Sequence, residues 1–260
     1  MTASISRTSP GAFRTPRAAL IALALCSALA VHVVQAQEAP AAASSTIAEA
    51  AARTRWQGEL SAFAQADREH PPAADGVVFV GSSTIRLWTQ LAADFPGQPV
   101  VINRGFGGST LADCSVLARE LVVRYKPRQV VVYAGDNDLA GGQSPLQVMT
   151  SLARFMAAVR AELPDARISF ISVKPSPSRA ALLPKVRETN DIAAAYLRTQ
   201  ANSEYIDTFT PMIGTDGQPR ADLFRADMLH MNDAGYRIWQ TVVAPHLLPP
   251  AAPAAPAPQR

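Results

Sequence analysis

The chain has 260 residues, two cysteines and a formal net charge of +3, and its composition is 48% hydrophobic and 17% charged. The first 36 residues hold three arginines and no acidic residue, so the formal charge of the rest falls to 0 (3 − 3). The remaining chain has no basic stripe, which excludes the charge pattern of a nucleic-acid-binding protein, and no nucleic-acid partner is predicted.

The N-terminal segment has the pattern of an export signal. After the basic residues comes an apolar run, Ala18 to Val34, and small Ala36 precedes a predicted cut before Gln37. We therefore predict a signal peptide over residues 1–36 and an exported protein, periplasmic or secreted, with no membrane span after cleavage. An uncleaved anchor is disfavoured because the run is Ala-rich and short for a spanning helix of ~20 residues. A lipid anchor at Cys26 is weaker still, because a bulky leucine precedes this cysteine.

The 224 residues that remain (260 − 36) suffice for one substantial domain. Ala- and Pro-rich tracts at 37–46 and 249–260 have the composition of a linker and a tail, which places the domain at residues 47–248. Cys114 is the one cysteine in this part of the sequence, so the fold must rest on its apolar core and not on an intrachain disulfide.

Helical patterns and short β-branched runs alternate along this domain. In chain order they predict a helix at 47–69, a strand at 76–81, a helix at 84–94, a strand at 99–103, a helix at 110–125, a strand at 129–135, a helix at 145–163, a strand at 166–173, a helix at 182–200, a weaker strand at 204–209 and a last helix from Asn232 to about His246. Ser144 and Pro145 form a helix start signal, and Trp88 and Trp239 are predicted to be core residues. Strands that are apolar on both faces and separated by helices indicate an α/β fold with a covered parallel sheet.

Small, polar and ionisable residues follow several of these strands, at the sheet edge where ligands gather. They occur in "GSSTIRLW" at 81–88, "NRGFGGST" at 103–110, "GDNDLAGG" at 135–142 and, before the last helix, "DMLH" at 227–230. Taken singly, each stretch has a structural interpretation: the serines as helix caps, the glycines as a turn or a weak phosphate cradle, and the asparagine and histidine as surface residues.

Taken together, the same residues meet the needs of nucleophilic catalysis. Serine is a poor nucleophile at neutral pH and needs an imidazole within hydrogen-bond reach, which a carboxylate must in turn orient. Asp227 and His230 are three positions apart, so both can lie on one turn of backbone and meet a serine after the first strand. Gly108 lets a backbone amide approach an oxyanion closely, and the Asn137 side chain supplies a second N–H.

These blocks, in this chain order, resemble the SGNH hydrolases, also called GDSL-type esterases and lipases. By position in the motifs, the nucleophile, the two oxyanion donors, the acid and the base of that family fall on Ser83, Gly108, Asn137, Asp227 and His230. The resemblance covers about residues 76–245 and implies a flavodoxin-like three-layer α/β/α sandwich with a five-stranded parallel sheet. "RGFGGS" and "DLFRADMLHMNDAGY" look like the bacterial branch related to platelet-activating-factor acetylhydrolases.

The resemblance implies hydrolysis of carboxylic esters, with short-chain acyl or acetyl groups on a small molecule or a carbohydrate, through an acyl-enzyme on Ser83. No histidine pair in the sequence has the spacing of metal ligands, so no metal site and no cofactor are predicted. Ser82 departs from the pattern, because the family has aspartate there; that aspartate is not the triad acid, so activity is still expected. An acyltransferase that uses the same acyl-enzyme and an inactive binding module of the same fold stay open as alternatives, as do acyl length, alcohol and oligomeric state.

The loops after the third and fourth strands hold four further ionisable residues. Lys174 and Arg179 in "VKPSPSR" are interpreted as solvated loop residues, with a position at the pocket rim as the alternative. Asp136 and Asp138 could bind a sugar or orient a loop.

Overall fold

The computed structural model describes residue 47 and residues 49–250. The predicted signal peptide and linker, and the predicted tail beyond Pro250, fall outside these residues. No helix between residues 49 and 250 has both the length and the hydrophobicity that crossing a bilayer requires.

Five parallel strands form one sheet with the spatial order β2-β1-β3-β4-β5. The strands are β1 Val77–Gly81, β2 Val101–Gly105, β3 Gln129–Tyr133, β4 Arg167–Ile171 and β5 Ser203–Ile206. This order is flavodoxin-like, and it reverses direction between β1 and β3, which is where such folds bind ligands. The predicted five-stranded parallel sheet is confirmed. Strand β2 runs to Gly105 and not to residue 103, because its pairing with β1 continues to the Gly81–Gly105 pair.

The α-helices in the described part of the chain differ in places from the predicted ones. They are α1 Gln57–Glu69, α2 Ser83–Arg86, α3 Leu91–Asp94, α4 Leu111–Val116, α5 Ala118–Leu121, α6 Asp136–Ala140, α7 Pro145–Glu162, α8 Leu183–Leu197 and α9 Asp233–Val243; residues 49–55 are also helical. The prediction of one continuous helix at 84–94 is wrong. The chain turns after α2, where the buried Trp88 indole donates to Asp94 Oδ2 at 2.6 Å. The predicted helix at 110–125 is also divided, at the buried Leu117, whose backbone leaves helical values.

Two helix starts follow the sequence signals. The Ser144 hydroxyl accepts from Gln147 N while the Gln147 side chain accepts from Ser144 N, and Pro145 is the first residue of α7. At the start of α9, the Asn232 side chain accepts hydrogen bonds from Ala234 N and Gly235 N. Both caps satisfy backbone N–H groups that a helix leaves free in its first turn.

The apolar core lies on both faces of the sheet. Residues Val77–Val80 of β1 are fully buried, and their side chains alternate between the two faces. The even-numbered ones pack in a cluster with residues of α4 and α7, and the odd-numbered ones pack in a cluster with Trp88 and Trp239. Burying a side chain of this size stabilises the fold by about 1.5–3 kcal/mol. The sheet lies between the two clusters, with helices outside each of them, which is the predicted three-layer sandwich. Trp88 and Trp239 are both buried, so their predicted core positions are confirmed.

Candidate active site

Ser83 lies beyond the carboxyl end of β1, at the first position of α2. Gly81 ends the strand with a φ of 146°, and a Cβ there would collide with the carbonyl oxygen of Tyr133 on β3, so this turn requires glycine. Ser82 occupies the N-cap position and is fully buried, but its hydroxyl has no hydrogen-bond partner among the described residues. The Ser82 side chain therefore does not make the hydrogen bond that its interpretation as a helix cap requires. Ser83 Oγ instead lies 3.1 Å from His230 Nε2.

Asp227 and His230 form a small turn held by the aspartate carboxylate. Asp227 Oδ2 lies 2.6 Å from His230 Nδ1, and Oδ1 accepts from the backbone N–H groups of Leu229 and His230, both at 2.9 Å. Met228, with a φ of 53°, turns the chain between them. The hydrogen bond from His230, followed by the two backbone bonds, holds the pKa of Asp227 well below its ordinary value. The carboxylate is thus ionised at neutral pH and keeps the proton on Nδ1, which leaves Nε2 as an acceptor facing Ser83.

The last helix brings this turn to the serine, although Ser83 and His230 are 147 positions apart. Tyr236 in α9 donates its hydroxyl proton to the carbonyl oxygen of Thr84 in α2 at 2.8 Å. The rings of Trp88 and Trp239 pack edge to face, 6.1 Å apart. Helix α9 is therefore docked against the segment that carries Ser83, and the turn just before α9 reaches over the end of β1.

Gly108 and Asn137 lie beyond the ends of β2 and β3, the two neighbours of β1. Gly108 is exposed, with a φ of 81°, and no acceptor within residues 49–250 takes a hydrogen bond from its N–H. Ser109 Oγ donates to Gly81 O at 3.1 Å, which ties this loop to the end of β1. Asn137 Nδ2 donates to Ser109 O at 3.0 Å, which joins the loops after β2 and β3.

A buried group of charges lies next to Asn137, and the interpretation of its cations as solvated loop residues is wrong. Lys174 Nζ donates to Asp136 Oδ2 at 2.8 Å, and the Lys174 side chain is only 1% exposed. Arg179 Nη1 lies 3.2 Å from the same carboxylate oxygen, and Arg179 Nη2 donates to Asn137 Oδ1 at 2.9 Å. Burial raises the pKa of Asp136, but Lys174 and Arg179 outweigh it, so that the pKa is lowered overall. The sequence signal that could have indicated this ion pair is the position of its two residues: Asp136 follows β3, Lys174 follows β4, and these parallel strands are neighbours in the sheet.

Asp138, on the other side of Asn137, orients a loop. Its carboxylate accepts from Leu111 N, the first residue of α4, at 3.1 and 3.2 Å. Burial raises the pKa of Asp138 to about 6, although the backbone hydrogen bonds act in the opposite direction. Of the two interpretations of this residue, the described contacts support the orientation of a loop.

A serine, a histidine and an aspartate in hydrogen-bonded series, at the carboxyl edge of a parallel sheet, form the arrangement by which serine hydrolases are recognised as a class. The model of one family, the GDSL-like lipase/acylhydrolase family, matches residues 73–238, and the chain belongs to this family. The family predicted from the sequence is confirmed.

Solved structures with the same fold include proteins from several organisms. A Streptococcus pneumonia protein described as a platelet activating factor has a TM-score of 0.67 and 16% identity, with 80% of this chain and 99% of that chain covered. A Bacteroides fragilis protein described as an acylhydrolase has a TM-score of 0.62 and 23% identity, with 71% of this chain and 93% of that chain covered. A family 3 carbohydrate esterase from Talaromyces cellulolyticus has a TM-score of 0.52 and 18% identity, with 65% and 94% covered. No curated protein matches the sequence.

Proposed function

We propose that the protein is a serine esterase that hydrolyses carboxylic esters with short-chain acyl or acetyl groups. The observation that carries this proposal is the unbroken series from Asp227 Oδ2 to His230 Nδ1, at 2.6 Å, and from His230 Nε2 to Ser83 Oγ, at 3.1 Å. Both distances fall within hydrogen-bond reach, so a proton can move between the serine and the imidazole without a change in the fold.

The proposed reaction has two steps. The Ser83 oxygen attacks the ester carbonyl while His230 Nε2 takes the hydroxyl proton; the bond to the alcohol oxygen then breaks, and His230 returns the proton to the leaving alcohol. Water next attacks the acyl group on Ser83, His230 takes a proton from the water, and the carboxylic acid leaves as the Ser83 hydroxyl is restored. Asp227 stays ionised in both steps and stabilises the imidazolium that forms.

Three N–H groups are assigned to the negative charge on the attacked carbonyl oxygen. Ser83 N begins α2, and the first N–H groups of a helix have no acceptor within it. Gly108 N has no acceptor among the described residues, and Asn137 Nδ2 uses one of its two N–H groups on Ser109 O, so that one remains. Donors fixed in advance in this way favour the charged transition state over the neutral ester.

The test compares two neighbouring serines. We expect Ser83→Ala to lower kcat for p-nitrophenyl acetate by roughly 10⁴–10⁶-fold, the scale of losing a serine nucleophile. Ser82→Ala is the matched control: its hydroxyl is buried and unpaired among the described residues, so we expect activity within about 3-fold of wild type. An organophosphate probe should add its mass to a peptide at Ser83. Full turnover by Ser83→Ala would overturn the proposal.

A substrate panel then narrows the ester. p-Nitrophenyl esters of increasing acyl length should show the highest kcat/KM for the short chains, and acetylated xylan and chitin fragments test the carbohydrate esters. The carbohydrate esters are included because the Talaromyces cellulolyticus protein of similar fold is named a carbohydrate esterase. Added alcohols or sugars distinguish hydrolysis from acyl transfer, since an acyltransferase would form a new ester in place of free acid.

A further inference from the structure

The side-chain amide of Asn137 is fixed at both of its ends. Its Oδ1 accepts from Arg179 Nη2 at 2.9 Å, and its Nδ2 donates to Ser109 O at 3.0 Å. A guanidinium can only donate and a carbonyl oxygen can only accept, so turning the amide by half a rotation would place donor against donor and acceptor against acceptor. The two contacts therefore select one orientation of the amide, in which Nδ2 keeps a single N–H free.

Arg179 is itself held by buried charge. Its Nη1 lies 3.2 Å from Asp136 Oδ2, a contact that is an ion pair but lacks hydrogen-bond geometry. Lys174 Nζ lies 2.8 Å from the same oxygen, and the exposed fractions of the Asp136 and Arg179 side chains are 6% and 20%. Ion pairs with so little solvent contact are weakly screened by water and salt. The attraction to Asp136 therefore holds the Arg179 guanidinium in this position.

The segment that carries Arg179, Ser176–Arg179, also contacts the turn that carries His230. Arg179 N donates to Ser176 O at 2.9 Å, which closes a tight turn after β4. Within that turn, Ser178 N donates to Met228 O at 3.0 Å, and Met228 lies between Asp227 and His230. The segment Ser176–Arg179 thus contacts both the turn that carries His230 and the amide of Asn137.

We propose that Arg179 is a positioning residue for catalysis: its hydrogen bond to Oδ1 holds the Asn137 amide so that the free N–H of Nδ2 faces the oxyanion. This inference rests on the esterase function proposed above. Arg179 acts through Asn137 and needs no contact with the ester, so its contribution is the same for neutral and for anionic substrates.

The experiment is a double-mutant cycle with Arg179→Met and Asn137→Ala, measured on neutral p-nitrophenyl acetate. We expect Asn137→Ala to lower kcat by about 10²–10³-fold, the scale of losing one oxyanion donor. Arg179→Met should lower kcat by about 10–10²-fold with KM changed by less than about 3-fold, because a misoriented donor fails mainly in the transition state. In the Asn137→Ala background, Arg179→Met should change kcat by less than about 3-fold, since the group it positions is gone.

Three controls make the outcome specific. Arg187→Met removes the same charge from a side chain that contacts Gly217 and Phe209, and it should leave kcat within about 2-fold of wild type. Arg179→Lys keeps a positive charge and N–H donors on a single nitrogen, so its kcat should lie between those of Arg179→Met and wild type. If Arg179→Met does not fold, Arg179→Lys replaces it in the cycle. Thermal melting of each variant separates a loss of folding from a loss of turnover.

Two results would overturn the inference. An equal loss of kcat in the wild-type and Asn137→Ala backgrounds would show that Arg179 acts on the reaction by another route, and an unchanged kcat would show that it does not act at all. The Ser83→Ala and probe experiments decide the esterase function separately: if they succeed and the cycle is additive, only the role of Arg179 falls, and if they fail, both proposals fall together.

Discussion

The turn that carries His230 and the loop that carries Asn137 are built in different ways. Asp227 and His230 hold each other through bonds that span three residues, and their side chains are 48% and 26% exposed. Asn137 is held by Ser109, 28 positions away, and by Arg179, 42 positions away, next to buried charges. The first arrangement can form within one short segment, whereas the second forms only when the loops after β2, β3 and β4 are all in place. Changes in the turn should therefore affect turnover alone, and changes in the buried group should affect folding as well.

Asp227→Asn should have a large effect on turnover with little effect on folding. Asparagine can still accept the two backbone N–H groups at Oδ1, but it cannot stabilise an imidazolium or fix the proton on Nδ1. We expect kcat to fall by about 10³–10⁴-fold while the urea midpoint of unfolding stays close to wild type. A large drop in that midpoint would remove the distinction between the two regions.

Asp136→Asn should mainly lower stability. It leaves the Lys174 cation, 1% exposed, without its counter-charge, and breaking a buried pair from one side costs about 3–5 kcal/mol of unfolding free energy. The double variant Asp136→Asn/Lys174→Met removes both members of this pair, leaves the more exposed Arg179 cation in place and should recover most of this loss. Asp222→Asn, which breaks the exposed ion pair with Arg220, is the control and should leave the urea midpoint near that of wild type.

Asp138→Asn should change how stability depends on pH. The pKa of the buried carboxyl is raised from 3.8 to about 6, so the folded protein binds this proton more tightly than the unfolded chain does. Its stabilising contribution is complete below about pH 4 and is lost as the pH rises through about 6; by the linkage relation this loss is at most about 3 kcal/mol.

Asparagine removes the titration and can still accept from Leu111 N. We therefore expect Asp138→Asn to be more stable than wild type at pH 8, with the difference decreasing towards pH 4, as measured by urea unfolding at several pH values. A difference that stays constant with pH would mean that the carboxyl does not titrate in this range.

The contrast also explains what the sequence could predict. The spacing of Asp227 and His230 is a local signal, and the β-branched runs predict strands because each residue is buried on one face or the other. The burial of Lys174 and Arg179 could not be predicted in this way. A lysine or arginine in a polar loop has the same local sequence pattern whether or not a carboxylate lies beside it in the fold. The partner of Lys174 is 38 positions upstream and becomes visible only when β3 and β4 are adjacent. The division of the helix at 84–94 likewise depends on where the Trp88 indole is buried, which no local pattern encodes.

The position of α9 has a consequence for the timing of activity. The proposed nucleophile lies near the start of the folded domain, and the proposed base lies just before a helix that anchors it through Tyr236 and Trp239. A growing chain still on the ribosome therefore holds the serine long before it holds the imidazole and its support. The proposed series of serine, histidine and aspartate is therefore complete only after the last helix has been synthesised and has folded onto the rest.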